Sequence, residues 1–123
     1  MNWTEKTWIV ATCGRGCAGV LKAELQALGY APQDVSATSV GIEGDLRDAM
    51  RLNLWLRSAN RVLFEVAGFE IDSADDLYGA VRSLPWEDWL RRDAPFHVHG
   101  VAQHETIRDP RFAVLRCKDA IAD

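Results

Sequence analysis

Residues 7–19 read TWIVATCGRGCAG, a short apolar run that ends in a glycine-rich turn. The apolar and partly β-branched run 7–12 predicts a buried strand, and Gly14 and Gly16 mark its end. From Arg15 to Leu28 the apolar side chains recur at helical spacing, and the next residue, a glycine, is a stop signal. The chain is therefore predicted to begin with a strand that leads directly into an amphipathic helix.

The segments after this helix continue the alternation of strands and helices. Residues 35–43 are predicted to form two short strands around Thr38-Ser39 or one bent strand. Asp45 is predicted to cap a helix over 46–58, and residues 61–71 are predicted to form a strand. The order is then β-α-β-β-α-β, which is the ferredoxin-like arrangement if 35–43 is a hairpin.

A second unit is predicted to begin in the acidic stretch 70–76. Ser73 and Asp76 form a weak capping box for a helix that Pro85 ends. The further predicted elements are a helical turn at 86–90, a strand over 96–102 and a helix over 110–122 with a proline in its first turn. Because one strand cannot form a sheet alone, we expect this unit to be a fragment whose last strands follow residue 123.

Composition narrows the class of protein. The chain has 123 residues, of which 48% are hydrophobic and 26% are charged, so it is globular rather than disordered. The net charge of −4 argues against a wholly basic nucleic-acid binder, but six basic and three acidic residues fall within 91–118. Three cysteines, no signal peptide and no membrane-length apolar run predict a cytoplasmic protein with reduced thiols that does not enter the membrane.

The glycine turn has a second interpretation, as a nucleotide site. Gly14–Gly19 is a literal G-x-G-x-x-G between a strand and a helix, where a dinucleotide-binding fold holds pyrophosphate. The acidic residue that should follow is poorly placed, since Asp34 precedes the second strand and Glu43 comes late. A plain strand-to-helix turn is the favoured alternative.

Other chemical motifs are weaker. Cys13 with Cys17, and His97 with His99, have spacings that zinc ligands can adopt. A structural role is favoured and no metal is predicted, because no second pair of cysteines follows and Cys17 lies on the apolar stripe of its helix. The tetrapeptide 109–112 (DPRF) only faintly resembles the acid-Pro-Pro-aromatic loop of amino-methyltransferases and is rejected. No ordered set of nucleophile and base is present, so no catalytic residue is predicted.

The basic window, residues 91–118, predicts an RNA-binding surface. On the final helix Arg111 and Lys118 share the face opposite the apolar side chains, Arg116 flanks it and Arg108 precedes the helix. Such a group can neutralise several phosphates, and the helix N-terminus adds hydrogen-bond donors. A solvated charged face is the alternative interpretation.

Several segments taken together resemble one family. The chain is similar to the N-terminal part of the THUMP-containing RNA methyltransferases, and most similar to bacterial 23S rRNA guanine-N2-methyltransferases and to their relatives described as RNA methylases or N6-adenine-specific DNA methylases. The segments that carry the resemblance are TCGRG (12–16), LKAEL (21–25), GIEGD (41–45), LWLRSANRV (54–62), DLY (76–78), TIR (106–108) and KDAIAD (118–123).

This resemblance implies an α+β chain with a ferredoxin-like domain over 1–69 and a THUMP domain over 70–123 that is truncated before its last strands. It implies that the methyltransferase domain, which would hold S-adenosylmethionine, is absent from this chain. The fragment alone is then expected to bind no cofactor and to methylate nothing. Its expected partners are RNA, most of all rRNA, and the methyltransferase domain of its own parent protein. The alternative to RNA binding is a non-catalytic module that serves chiefly for protein interaction or positioning.

Overall fold

The computed structural model of the chain describes residues 4–100 and 110–122. Contacts divide the chain into two compact units, Met1–Gly68 and Phe69–Asp123. The elements of the first unit are β1 (Thr7–Thr12), α1 (Ala18–Ala27), β2 (Gln33–Ser36), β3 (Ser39–Gly44), α2 (Leu46–Trp55) and β4 (Arg61–Phe64). The predicted order β-α-β-β-α-β is confirmed, and the segment 35–43 lies within a hairpin.

The four strands form one antiparallel sheet in the order β2-β3-β1-β4. Ile9 at the centre of β1 lies opposite Ile42 of β3 on one side and Phe64 of β4 on the other. Because β3 lies between β1 and β2, the two strands that α1 connects are not neighbours. This is the split β-α-β arrangement of a ferredoxin-like fold.

The core of the first unit lies between one face of the sheet and the two helices. Alternation along β1 places Ile9 and Ala11 on this face, and Val40 and Ile42 of β3 lie beside them. The helices contribute four further buried side chains, Leu21 and Leu25 from α1 and Ala49 and Leu52 from α2. Each fully buried leucine or isoleucine contributes about 1.5–3 kcal/mol relative to an exposed one.

The start of α2 confirms the predicted cap. The Asp45 carboxylate accepts a hydrogen bond from the Asp48 backbone N–H at 3.1 Å, and the Asp48 carboxylate accepts one from the Asp45 N–H at 2.9 Å. The Tyr30 hydroxyl also donates to Asp48 at 2.7 Å. A reciprocal capping box therefore begins α2 and ties the segment after α1 to it.

Two helices are shorter than the periodicity predicted. α1 begins at Ala18 rather than at residue 15, because Gly16 has a φ of +82°, outside the right-handed helical range. α2 ends at Trp55 rather than at residue 58, because the next residue is extended. The Glu24 carboxylate accepts hydrogen bonds from the backbone N–H groups of Arg57 and Ser58. If α2 continued to residue 58, these N–H groups would instead donate to carbonyls of the helix.

The strand predicted over 61–71 is also too long. β4 ends at Phe64, and only one more backbone bond follows, from the Glu65 N–H to the Trp8 carbonyl at 3.0 Å. β1 itself begins at Thr7, so the residues after 66 have no strand opposite them. The apolar side chains of 66–71 were therefore a poor guide to strand length.

The second unit contains α3 (Ala74–Arg82), α4 (Trp86–Trp89) and α5 (Pro110–Ala122). The Ser73 hydroxyl accepts from the Asp76 N–H at 3.2 Å, as the capping box predicted. The return bond differs, because the Asp76 carboxylate accepts from the N–H of Asp72 at 3.1 Å. The indole N–H of Trp86 donates to the carbonyl of Val81 at 2.6 Å and fixes α4 on the end of α3.

The prediction of a strand over 96–102 is wrong for the part that can be described. Residues 96–100 are not in a strand, and residues 101 and 102 lie outside the described residues. A strand requires a second extended segment to complete its backbone hydrogen bonds, and the described residues of this unit form helices and irregular segments only.

Candidate functional site

The outward face of α5 carries two of the basic residues predicted to contact RNA. Arg111 and Lys118 are exposed, and Leu115 between them is 55% exposed. The prediction of the inward face is confirmed, since its residues are buried or half-buried: Ala113, Val114, Cys117, Ala120 and Ile121. Two cations therefore lie on one solvent-facing side of the helix, about two turns apart.

Arg116 has a different environment. Its Nη2 atom lies 3.2 Å from an Asp75 carboxylate oxygen, and its guanidinium carbon lies 4.4 Å from the centre of the Tyr78 ring. Both partners are on α3, and the Arg116 side chain is only 27% exposed. This arginine therefore holds α5 against α3, and an RNA contact by it stays a prediction.

Arg108, the fourth predicted contact, lies outside the described residues, as does His104. His97 and His99 are described: their rings are 4.2 Å apart, and both residues are exposed. Across 4–100 and 110–122, no three side chains of histidine, cysteine, aspartate or glutamate come together in a way that could hold a metal ion.

A cavity of about 440 Å³ in the second unit brings together basic residues that the sequence did not single out. Arg82 at the end of α3 and the doublet Arg91-Arg92 after α4 line it, together with one acid, Glu87. All four side chains are exposed. The remaining wall is largely apolar or aromatic and comprises Leu84, Trp86, Leu90, Ala94, Phe96 and the end of α5, Ala120–Ala122.

This arrangement suits recognition of an anionic, partly flat ligand. Guanidinium groups bind phosphate oxygens through two parallel hydrogen bonds, and aromatic side chains provide apolar surface for a planar group. The cavity volume falls in the range of about 300–1,000 Å³ that small-molecule sites occupy. The Arg91-Arg92 doublet could have been noticed among the basic residues of 91–118. Arg82 comes near the doublet only because the chain turns at α4, which the sequence pattern did not show.

The thiol of Cys117 is not activated as a nucleophile. Burial raises the pKa of its thiol, so the sulfur stays protonated and poorly reactive near neutral pH. It lies on the inward face of α5 with the apolar side chains. Its role is packing, as its position on the helix predicted.

The glycine turn of the first unit does not fit a pyrophosphate or S-adenosylmethionine. The Cys17 N–H, which such a loop would point at a ligand, donates to the Gly14 carbonyl at 3.1 Å. The neighbours of β1 in the sheet are both antiparallel to it, whereas the dinucleotide fingerprint belongs to a parallel β-α-β unit.

The helices were compared with the length and apolar character that a membrane span requires. Over the part of the chain that the structure describes, none of them is long and apolar enough to cross a bilayer.

Comparison with known families assigns both units. A model of the RlmL ferredoxin-like domain matches residues 8–63, and a model of the THUMP domain matches residues 72–123. The chain therefore belongs to the class of proteins in which a ferredoxin-like domain is followed by a THUMP domain. The chain belongs to the family of THUMP-containing RNA methyltransferases, and it corresponds to their N-terminal ferredoxin-like and THUMP region.

Two curated relatives carry the name ribosomal RNA large subunit methyltransferase K/L. The protein of Cellvibrio japonicus (strain Ueda107) is 42% identical over 113 residues, and that of Syntrophotalea carbinolica is 36% identical over 113 residues. Each match covers 92% of this chain but only 15% or 16% of the relative. The chain therefore spans about one sixth of the length of the curated relatives it matches.

Solved structures have the same architecture. A predicted N6-adenine-specific DNA methylase from Listeria monocytogenes is 37% identical, with a TM-score of 0.79 over 95% of this chain and 30% of that one. SMU.472, a candidate methyltransferase complexed with SAH, is 29% identical, with a TM-score of 0.77 over 95% of this chain and 31% of that one.

Proposed function

We propose that this chain is the RNA-binding, substrate-recognition region of an S-adenosylmethionine-dependent rRNA methyltransferase that acts on guanine N2 of 23S rRNA. The observation that carries the proposal is the basic surface of the second unit. There Arg82, Arg91 and Arg92 line a cavity, and Arg111 and Lys118 lie on the outward face of α5. The same unit matches the THUMP domain.

The chemistry of this surface supports RNA as its ligand. Each cation that meets a phosphate releases a counterion, so several exposed arginines supply affinity that does not depend on base sequence. Recognition of RNA shape and backbone is what such contacts provide. Arg116 contributes by holding α5 in place, and Arg108 belongs to the proposed surface by its position in the sequence alone.

The names of the relatives support methyl transfer as the reaction of the parent protein. Ribosomal RNA methyl transfer is part of the name of the curated relatives, and SAH in the SMU.472 structure is the product that S-adenosylmethionine leaves. We place the ferredoxin-like domain at 1–69 and the THUMP domain at 70–123. In the parent protein, a separate methyltransferase domain would hold the methyl donor, in the cytoplasm.

The RNA-binding part is tested by titrating the 123-residue chain with a labelled fragment of 23S rRNA. Lys118→Ala and Arg111→Ala should each weaken binding several-fold and lower the slope of log K against log salt by about one counterion. Arg15→Ala is the matched control, since it removes an exposed arginine from the first unit. Equal affinities for all four proteins would contradict the assignment of α5.

The guanine assignment needs the whole protein. Disrupting the gene in its source organism should remove one N2-methylguanosine from 23S rRNA, measured by mass spectrometry of its nuclease fragments. Restoring the intact gene should return the modification. Unchanged N2-methylguanosine would refute this target while leaving the RNA-binding assignment to the titration.

A further inference from the structure

The outward face of α2 is apolar where a surface helix should be polar. Leu54 is 83% exposed, Trp55 is 62% exposed and Met50 is 60% exposed. At about 100° per residue Met50 and Leu54 fall on the side away from the buried Ala49 and Leu52, and Trp55 lies at the edge of that side, about 60° from Leu52. Large side chains grouped in solvent mark a contact surface more often than single ones do.

Two arginines complete this face. Arg47 and Arg51 are exposed and lie between Leu54 and Trp55 around the helix, so the order is Met50, Leu54, Arg47, Arg51, Trp55 within an arc of about 140°. We call these five residues the α2 surface.

The α2 surface contains no acidic side chain. Asp48 on the same helix lies beside it, but its carboxylate already accepts hydrogen bonds from the Tyr30 hydroxyl and the Asp45 N–H. Arg51 lies with its guanidinium carbon 5.8 Å from the centre of the Tyr30 ring, which restrains that side chain near the helix. The face is therefore cationic as well as apolar.

We propose that the α2 surface is a second RNA-binding site, on which a base of a single-stranded segment stacks on Trp55 while adjacent phosphates meet Arg47 and Arg51. Single-stranded RNA combines flat apolar groups with negative charge at short spacing, and aromatic residues beside cations are the usual means of binding it. This inference rests on the proposed RNA-binding function and adds a contact outside the second unit.

A second copy of the chain fits the same surface less well. In a two-fold symmetric contact identical faces meet, so Arg47 and Arg51 of both copies would bring four cations into one interface. Like charges held together in an interface oppose association, and the α2 surface offers no acid to offset them.

The test measures binding of the 123-residue chain to a single-stranded oligoadenylate of about a dozen nucleotides, a length that one site of this kind covers. Trp55→Ala should weaken binding by about 5- to 150-fold, which corresponds to the loss of one stacked base. Trp55→Phe should restore most of it, because the phenyl ring still stacks. Val20→Ser, which alters a side chain 59% exposed on α1, is the matched control and should bind like wild type.

The double variant Arg47→Gln/Arg51→Gln should lower the salt slope by about one to two, since each phosphate contact on a single strand contributes about 0.7. All the changed side chains are exposed, and unchanged circular dichroism would verify folding. If wild type binds RNA and these variants bind equally well, the α2 surface is not an RNA site and the proposed function stands. If wild type does not bind oligoadenylate, the α2 surface is likewise not a single-strand site, and the proposed function is decided separately by the titration with the 23S rRNA fragment.

Two other outcomes would replace RNA with another occupant. Sedimentation showing a dimer that Leu54→Ser converts to monomers would assign the surface to a second copy. Binding of the chain to phosphatidylserine vesicles that is lost in Trp55→Ala, with RNA affinity unchanged, would assign it to an anionic membrane surface. Either result overturns the proposal.

Discussion

Replacing Arg116 with alanine should destabilise the second unit rather than simply remove a positive charge. The cation–π contact with Tyr78 at 4.4 Å contributes about 0.5–2 kcal/mol, depending on how far it is desolvated. The ion pair with Asp75 adds at most about 1 kcal/mol, because the Asp75 side chain is 93% exposed. We expect Arg116→Ala to lower the free energy of unfolding by about 1–2 kcal/mol.

The assay is urea unfolding of the 123-residue chain followed by far-UV circular dichroism, with hydrogen exchange read on α3 and α5. A loss of 1–2 kcal/mol corresponds to a midpoint about 0.5–1 M lower, for a typical urea dependence of about 2 kcal/mol/M. Exchange should accelerate in α3 and α5 and stay unchanged in β1 and β3. Lys118→Ala, which removes an exposed cation from the same helix, should shift neither readout.

A double-mutant cycle separates the stacking contact from general damage. Tyr78→Leu and Arg116→Ala, made singly and together, should show a coupling of about 0.5–1.5 kcal/mol. An unchanged urea midpoint in Arg116→Ala, or two effects that simply add, would show that the contact with Tyr78 does not stabilise the second unit. In that event Arg116 would have no packing role, and its charge would be available for RNA.

Two further predictions concern the first unit. Glu24 accepts hydrogen bonds from the Ser58 hydroxyl and from two backbone N–H groups, which lower the pKa of its carboxyl; Glu24→Gln should therefore cost about 1–2 kcal/mol at pH 7. A carboxyl whose pKa is lower in the folded state stabilises the fold above its ordinary pKa, and this stabilisation is lost as the pH falls through the folded-state pKa. The urea midpoints of wild type and Glu24→Gln should therefore converge at acidic pH. A constant difference between the two midpoints from pH 7 to pH 2 would contradict this. Gly41→Ala should lower the melting temperature, since a Cβ at this position would lie 2.3 Å from the Trp8 ring. Gly19→Ala in α1 should raise the melting temperature, because no atom lies within 4 Å of the added Cβ and alanine favours the helix. Equal shifts in the two variants would show that Trp8 does not constrain position 41.

The first unit was predictable because its signals are local. The alternation in β1, the cap at Asp45 and the apolar spacing of α1 each depend on neighbours within a few residues, and all three are present. Element ends were less predictable, since they depend on distant residues. The end of α2 is coupled to Glu24, more than thirty residues earlier in the chain.

The second unit shows where sequence patterns mislead. The apolar segment 96–102 resembled a strand, but strand formation needs a partner that a one-dimensional pattern does not reveal. Arg116 was grouped with Arg111 and Lys118 because all three are basic and close in sequence. Only the packing of α5 on α3 brings Arg116 onto Tyr78 and separates it from the exposed pair. The cavity arginines come together in the same non-local way.

The most direct test of RNA binding by the second unit is the salt dependence of binding in the triple variant Arg82→Gln/Arg91→Gln/Arg92→Gln. These three exposed arginines line the cavity, and their removal leaves α5 unchanged in sequence. Against a 23S rRNA fragment, the slope of log K against log salt should become shallower by about two to three than that of wild type and of Arg15→Gln. A slope identical to wild type, with undiminished affinity, would contradict the account that this basic cavity meets RNA.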